Sequence, residues 1–129
     1  MSYRMHMVIV PEGRGKWRNA AGNTECVELV RQTTSAPHTT KWTAGLRVRG
    51  APIFSIAPYT AIATFVDGRY PTEGGKHAAL YLWHDEREIR VIDQWNKRGE
   101  ALPRSIRFDN ERSDKRSDEG NYYFVIEPG

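Results

Sequence analysis

The sequence predicts an α+β fold in which one amphipathic helix packs on an antiparallel β-sheet. The helix is indicated by residues on one face at positions i, i+3, i+4 and i+7, namely Cys26, Leu29, Val30 and Thr33. The sheet is indicated by short runs of β-branched and aromatic residues after residue 60, each ended by turn-forming residues. A chain of 129 residues can bury one core, so residues 1–129 are expected to form a single domain.

The helix is expected to begin close to Cys26. Asn23 or Thr24 can accept a hydrogen bond from the unpaired amides of the first turn, and Glu25 suits the positive end of the helix dipole. Pro37 disfavours a helical residue before it, so the helix should end close to this proline.

Strands dominate the rest of the predicted fold. The segment 42–50 has no clear period and is expected to be irregular or a short helix. Strands are predicted at residues 60–66, 77–83, 88–95, 104–108 and 122–127. The second and third of these flank the short turn 84–87 and should form an antiparallel hairpin. The polar run 109–121 is predicted to be a mobile hairpin loop between the last two strands.

Cys26 is the only cysteine of the chain, so the fold has no internal disulfide and needs no oxidising compartment. A helix dipole and a nearby imidazolium can lower a thiol pKa of about 8.5 to about 3.5–7.5 in known cases, which favours the nucleophilic thiolate. The position of Cys26 at a helix start suits such a nucleophile. The alternative is a small core residue on an apolar helix face, the commoner role of a lone cysteine.

His77 is the candidate base that would accept the proton of Cys26. It follows two glycines and precedes a strongly apolar strand, so its ring lies either at a cleft or in a hydrogen bond at the end of the sheet. The remaining histidines have less suggestive surroundings and are expected to be structural or solvated: His6, His38 and His84.

An acidic residue should hold the second nitrogen of the imidazole and stabilise its cation. If the hairpin sets His77 opposite Asp93, the two side chains share a face, whereas a register change of one residue presents Gln94 instead. Asp93 is the preferred candidate and Gln94 the second, beside the alternative that Asp93 is an ordinary polar residue at a strand end. Aromatic residues more often pack in a core, but four are candidates to line a cleft: Trp17, Trp42, Tyr70 and Trp95.

The charge of the chain does not favour nucleic acid. Nineteen basic residues are interleaved with 16 acidic ones, giving a net charge of +3 without a basic stripe. A mildly basic surface suits other anionic polymers equally well. The apolar run within residues 1–11 is too short and too interrupted for a signal peptide, and no segment reaches the roughly 20 apolar residues of a membrane span. We therefore expect a soluble protein without a classical export signal.

Four segments of the chain resemble papain-fold cysteine amidases of the NlpC and CHAP type: residues 25–30, 58–65, 76–82 and 91–95. In that superfamily a cysteine starts a helix and a histidine opens the next-but-one strand. The chain is more closely similar to a small bacterial family of CHAP-like proteins related to amidase effectors of type VI secretion, over residues 23–126. Tyr59 departs from the pattern, because many CHAP-type sequences have glycine there.

The resemblance implies a papain-like fold and hydrolysis of an amide bond in bacterial peptidoglycan through a thioester. It implies Cys26 as the nucleophile, His77 as the base and Asp93 as the third residue, with no metal or cofactor. The expected partners are a peptidoglycan or peptide substrate and a cognate immunity protein, after synthesis in the bacterial cytoplasm and delivery to the periplasm of a target cell. The alternative function is a non-catalytic binding or inhibitor module on the same fold.

Overall fold

The computed structural model describes Tyr3, residues 16–72 and residues 74–128. These parts contain one α-helix and a six-stranded sheet: α1 (Cys26–Thr33), β1 (Trp42–Arg47), β2 (Ala61–Thr64), β3 (Ala78–His84), β4 (Glu88–Asp93), β5 (Leu102–Arg107) and β6 (Tyr123–Pro128). Every strand pair is antiparallel, in the order β1-β6-β2-β3-β4-β5. The predicted α+β class is therefore confirmed. His6 and most of the apolar run within residues 1–11 lie outside the described residues.

Helix α1 packs against β3 with the predicted face. Leu29, Val30 and Thr33 are buried, and Cys26 at the first helical position is partly buried. Small residues on the same face of the sheet let the helix backbone approach the strands closely, namely Ala61, Ala63 and Ala78. The helix ends at Thr33, earlier than Pro37 predicted, where the Thr33 hydroxyl donates to the Leu29 carbonyl at 2.6 Å.

The predicted cap of α1 is wrong. The N-cap position belongs to Glu25, whose side chain makes no capping hydrogen bond. Thr24 instead donates its hydroxyl to the carbonyl oxygen of Trp95 at 3.3 Å. This bond ties the start of the helix to the end of β4, so the side chain at position 26 lies over that end of the sheet.

Both faces of the sheet are covered, which is why every residue of β2 is buried. On the side of α1, the helix and the sheet share a hydrophobic cluster that includes Leu29 and Val30 from the helix, together with Phe65, Leu80 and Ile126. The opposite face is covered by the connection between β1 and β2 and contains Val48, Ile56, Tyr81, Val91 and Tyr123. Packing on both sides fixes the ends of the strands that carry the polar candidates.

Two predicted segments differ in the structure. Residues 42–50, expected to be irregular or helical, include strand β1, which pairs with β6 at the opposite end of the chain. Its partner among the described residues, β6, is remote in sequence, so the residues around β1 give little indication of a strand. The run 109–121 is not a hairpin loop, because β5 is an edge strand whereas β6 lies between β1 and β2. It crosses the sheet and includes a 3₁₀ turn at Arg116–Asp118.

The turn before β2 shows the consequence of a tyrosine at a position where glycine is common. Tyr59 has a φ of 68°, in the left-handed region that favours glycine. Its backbone amide bonds the carbonyl of Tyr81. The neighbouring hydrogen bonds hold the turn in this conformation despite the side chain.

Candidate active site

Three predicted residues meet at one end of the sheet, where α1 begins and β4 ends. Cys26 is the first residue of α1, His77 directly precedes β3, and Asp93 is the last residue of β4. The Cys26 thiol lies beside the His77 ring, close enough to interact with it, and both residues line the same cleft. The Nε2 atom of His77 lies 2.7 Å from Oδ2 of Asp93. Because Nε2 is engaged by the carboxylate, the ring nitrogen left for the thiol is Nδ1.

Thr64 at the end of β2 holds the backbone of His77 on both sides. The His77 amide donates to the Thr64 hydroxyl at 3.0 Å, and the Thr64 amide donates to the His77 carbonyl at 2.9 Å. The His77 side chain is almost completely buried. These contacts fix the ring, which matters because a base must be oriented toward its proton donor.

The register of the β3–β4 hairpin differs from the predicted one. Leu80 pairs with Ile92, which sets Ala79 rather than His77 beside Asp93. His77 lies two residues from Ala79 and therefore on the same face, from which its ring reaches Asp93 diagonally. The prediction that the two side chains share a face thus agrees with the structure, although they are not directly opposite.

Gln94, the second candidate for the third position, points away from the imidazole. Its Oε1 accepts from the Trp17 amide at 3.2 Å. Its Nε2 donates to the carbonyls of Trp17 and Glu25 at 2.7 and 2.9 Å. Gln94 therefore anchors the residue before Cys26 and the segment that precedes α1, and it leaves the position behind the ring to Asp93.

Two arginines also bind Asp93, and the sequence did not predict them. Arg104 Nε donates to Oδ2 at 2.8 Å, the same oxygen that His77 approaches, and Arg98 Nη2 donates to Oδ1 at 2.6 Å. The Arg98 guanidinium stacks over the Trp95 ring at 4.0 Å. Arg104 sits opposite Val91 in the β4–β5 pairing, two residues from Asp93 and hence on its face. The contact between Arg104 and Asp93 could be predicted only from the register of the β4–β5 pair.

The carboxylate is therefore held by three cationic or protonatable groups. Arg104 also donates to Oδ1 of Asp118 at 3.0 Å, which joins the 109–121 crossover to the site. The side chain of Asp93 is fully buried. Such a network keeps the carboxylate ionised and immobile, as the orienting member of a catalytic group must be.

The pKa shifts of the three residues all favour their charged forms. Burial raises the pKa of the Cys26 thiol, but the hydrogen bond and the charge of His77 and the backbone amide of Ala78 outweigh it, so the pKa is lowered. Burial lowers the pKa of His77, but Asp93 and Cys26 raise it to about 9. Burial raises the pKa of Asp93, yet His77 and Arg104 bring it to about 2. The site thus favours a thiolate beside an imidazolium.

A cleft of about 490 Å³ opens over the thiol and the imidazole. Among the four aromatic candidates, Tyr70 and Trp95 line it. Trp42 is instead buried in the core, with Nε1 donating to the Pro37 carbonyl at 2.9 Å, and Trp17 packs against the same cluster. Charged residues of both signs line the cleft: Glu25, Glu28, Arg31 and Lys76. The cleft therefore suits a peptide that bears both amino and carboxylate groups.

The predicted structural role of His84 agrees with its contacts. It is buried, with Nδ1 2.6 Å from the Tyr81 hydroxyl and Nε2 2.9 Å from the Ala51 carbonyl. His38 borders the cleft and caps a 3₁₀ turn by accepting from the Thr40 amide. Neither ring contacts Asp93.

In residues 16–72 and 74–128, no group of three histidine, cysteine or acidic side chains is arranged to hold a metal ion. The same parts of the chain contain no helix long and apolar enough to cross a membrane.

Sequence and fold both match amidase effectors. Residues 5–126 match the profile of the domesticated amidase effector 2 family. The chain is 35% identical over 115 residues to the type VI secretion amidase effector 2 protein of Salmonella typhi, covering 80% of this chain and 84% of that protein. It superposes on a solved structure of type 6 secretion amidase effector 2 with a TM-score of 0.79 and 31% identity, covering 92% of this chain and 89% of that one. The predicted papain-like fold agrees with this match.

Proposed function

Because the chain belongs to the domesticated amidase effector 2 family, we propose that it cleaves an amide bond of peptidoglycan with Cys26 as its nucleophile. The family and its relatives are amidase effectors, so the chain is a hydrolase. One observation supports the catalytic assignment above all others. The Cys26 thiol lies beside an imidazole in one cleft, and Nε2 of that imidazole is bound to a buried carboxylate, Asp93.

At neutral pH His77 already holds the thiol proton at Nδ1, and in the first step the Cys26 thiolate attacks the carbonyl carbon of the scissile amide. A new S–C bond forms while the carbonyl electrons move to oxygen. Asp93 stabilises the imidazolium through Nε2–H. With a pKa of about 2, Asp93 remains a carboxylate throughout and does not take the proton itself.

The tetrahedral species then collapses to a thioester. The C–N bond breaks, and His77 gives its proton from Nδ1 to the leaving amine. The backbone amide of Cys26 lies in the first turn of α1, where amides have no partner within the helix, and it is the candidate donor to the oxyanion.

Water completes the reaction. His77, neutral again, removes a proton from a water molecule as that water attacks the thioester carbon. The C–S bond breaks and the product acid leaves, which restores the thiolate beside an imidazolium that holds the proton taken from water. The sequence of steps needs no redox equivalent.

We further propose that residues 1–129 act as a single hydrolase domain and that the protein is an antibacterial effector. In this proposal a type VI secretion system delivers it from the bacterial cytoplasm to the periplasm of a target cell. The names of its relatives support delivery by that system. A cognate immunity protein would protect the producing cell by covering the cleft.

The test is digestion of purified peptidoglycan by the wild type and by Cys26→Ala, with the products identified by mass. We expect the wild type to release fragments with one new amine and one new carboxyl group, and the variant to release none. Ser55→Ala is a matched control, because it removes one heteroatom from an exposed side chain in the connection between β1 and β2. Full activity in Cys26→Ala would overturn the proposal.

A further inference from the structure

The hydroxyl of Tyr70 is a buried polar group without a regular hydrogen bond. Its oxygen is screened from solvent and has no partner of normal geometry among the described residues. It lies next to the Cys26 sulfur, close enough to interact with the thiol, and Tyr70 lines the same cleft as His77. A buried hydroxyl without a partner is destabilising, so its presence here calls for an explanation.

The Tyr70 ring is fixed by neighbours in the core. Trp42 meets it edge to face, with centroids 4.8 Å apart and planes inclined by 66°. Phe65 packs similarly at 6.4 Å. Because these contacts hold the ring, the hydroxyl stays beside the sulfur and cannot turn toward water for a better partner.

A change in the sulfur itself explains this placement. A neutral thiol is a weak hydrogen-bond acceptor, whereas a thiolate is charged and accepts a much stronger bond. Burial and the nearby charge on Cys26 raise the pKa of Tyr70, so the phenol keeps its proton and remains a donor. The hydroxyl therefore lacks a good partner only while Cys26 is protonated.

We propose that Tyr70 is a further catalytic residue, whose hydroxyl donates a hydrogen bond to the Cys26 thiolate and stabilises the reactive form of the nucleophile. The inference deepens the proposed function and rests on it. His77 still holds the thiol proton, and Tyr70 neither gains nor loses one.

Several other groups act on the same sulfur or on Tyr70. His77 and the amide of Ala78 also favour the thiolate. Glu25, next to Cys26 in the chain, and Tyr123 from β6 also raise the pKa of Tyr70, as the thiolate does. Tyr70 is thus one contributor to thiolate stability, and its removal should weaken the thiolate without abolishing it.

The test is Tyr70→Phe, which keeps the ring contacts and removes only the hydroxyl. The readout is the alkylation rate of Cys26 by iodoacetamide against pH, because the chain has no other cysteine. We expect the rate on the acid side of the profile, where the thiolate is only partly formed, to fall about tenfold, while the limiting rate at high pH changes by less than about twofold. In acid, where Cys26 is protonated, the melting temperature should not fall, since the hydroxyl then has no regular partner.

Tyr81→Phe is the matched control. It removes a buried tyrosine hydroxyl on the other face of the sheet that is bonded to His84 at 2.6 Å. We expect a lower melting temperature and an unchanged alkylation profile. An unchanged rate on the acid side of the profile in Tyr70→Phe would overturn the role of Tyr70. Alkylation does not require turnover, so this failure is distinct from activity in Cys26→Ala, which would overturn the proposed function.

Discussion

Asp93→Asn is the substitution that separates the charge of the site from its shape. The amide has nearly the size of the carboxylate but cannot compensate the charges around it. In the native protein the fully buried carboxylate accepts from His77 at 2.7 Å, from Arg98 at 2.6 Å and from Arg104 at 2.8 Å. All three bonds lose their ionic component in the variant.

The structure sets the expected loss of stability. The pKa of Asp93 falls from 3.8 to about 2 on folding, which corresponds to roughly 2 kcal/mol. Breaking a buried ion pair costs about 3–5 kcal/mol when the remaining charge has no contact with water. The side chains of Arg98 and Arg104 remain 17% and 19% exposed, so part of their charge stays hydrated. We expect a loss of about 2–4 kcal/mol at neutral pH.

The activity should fall more steeply than the stability. Without the carboxylate the pKa of His77 falls, the thiolate form of Cys26 is less populated, and the amide no longer fixes the ring tautomer. In the catalytic triad of a serine protease, replacing the aspartate by asparagine lowers kcat about 10⁴-fold. Because two arginines already share the charge of Asp93, we expect a smaller loss in kcat, about 10²–10³-fold.

Urea unfolding at several pH values, together with turnover of peptidoglycan fragments, measures both effects. A lowered carboxyl pKa stabilises the fold above 3.8 and loses that effect as pH falls through about 2, so the two proteins should converge in acid. Asp109→Asn is the control, since Asp109 pairs with Arg49 at 2.7 Å but is 64% exposed. If Asp93→Asn were as stable and as active as Asp109→Asn, the reasoning about the buried network would be refuted.

Three further predictions concern the pH range and the backbone. Turnover should fall above about pH 9, where His77 loses its proton. The stability that protonated His77 contributes is complete below pH 6.5 and should be lost as the pH rises through about 9. A pH profile of turnover, with melting curves at the same pH values, tests both. Gly75→Ala should lose about 1–2 kcal/mol and much of the turnover, because Gly75 has a φ of 87° and an added Cβ would lie 2.7 Å from Cβ of Arg116; normal stability in urea would contradict this. Phe54→Gly should gain about 1 kcal/mol, because Phe54 has a φ of 70° and is 91% exposed; a lower melting temperature would show that the conformation is not strained.

Local patterns in the sequence predict the elements whose partners are close in the chain. The face of α1 follows from the spacing of its apolar residues, and the β3–β4 hairpin follows from two apolar runs around a short turn. Strand β1 was missed because its partner β6 is remote in sequence. The crossover at 109–121 was mistaken for a hairpin loop because strand order cannot be read from a polar composition.

The sequence was enough to predict the residue types of the candidate site and their positions relative to the helix and the strands. Cys26 and Asp93 lie at the ends of α1 and β4, His77 directly precedes β3, and each is a residue type that suits nucleophilic catalysis. Arg98 and Arg104 could not be foreseen, since their role depends on the register of β5 and on a turn after β4. The hydrogen bonds of Gln94 likewise involve Trp17, which is 77 residues away in the chain.

The central claim is that one thiol performs the chemistry, and a titration of that thiol tests it most directly. Because Cys26 is the only cysteine, graded labelling with iodoacetamide modifies one position, and intact mass reports its extent. We predict that turnover of peptidoglycan falls in proportion to labelling and vanishes at one label per chain. A fully labelled protein that still turns over its substrate would contradict the account.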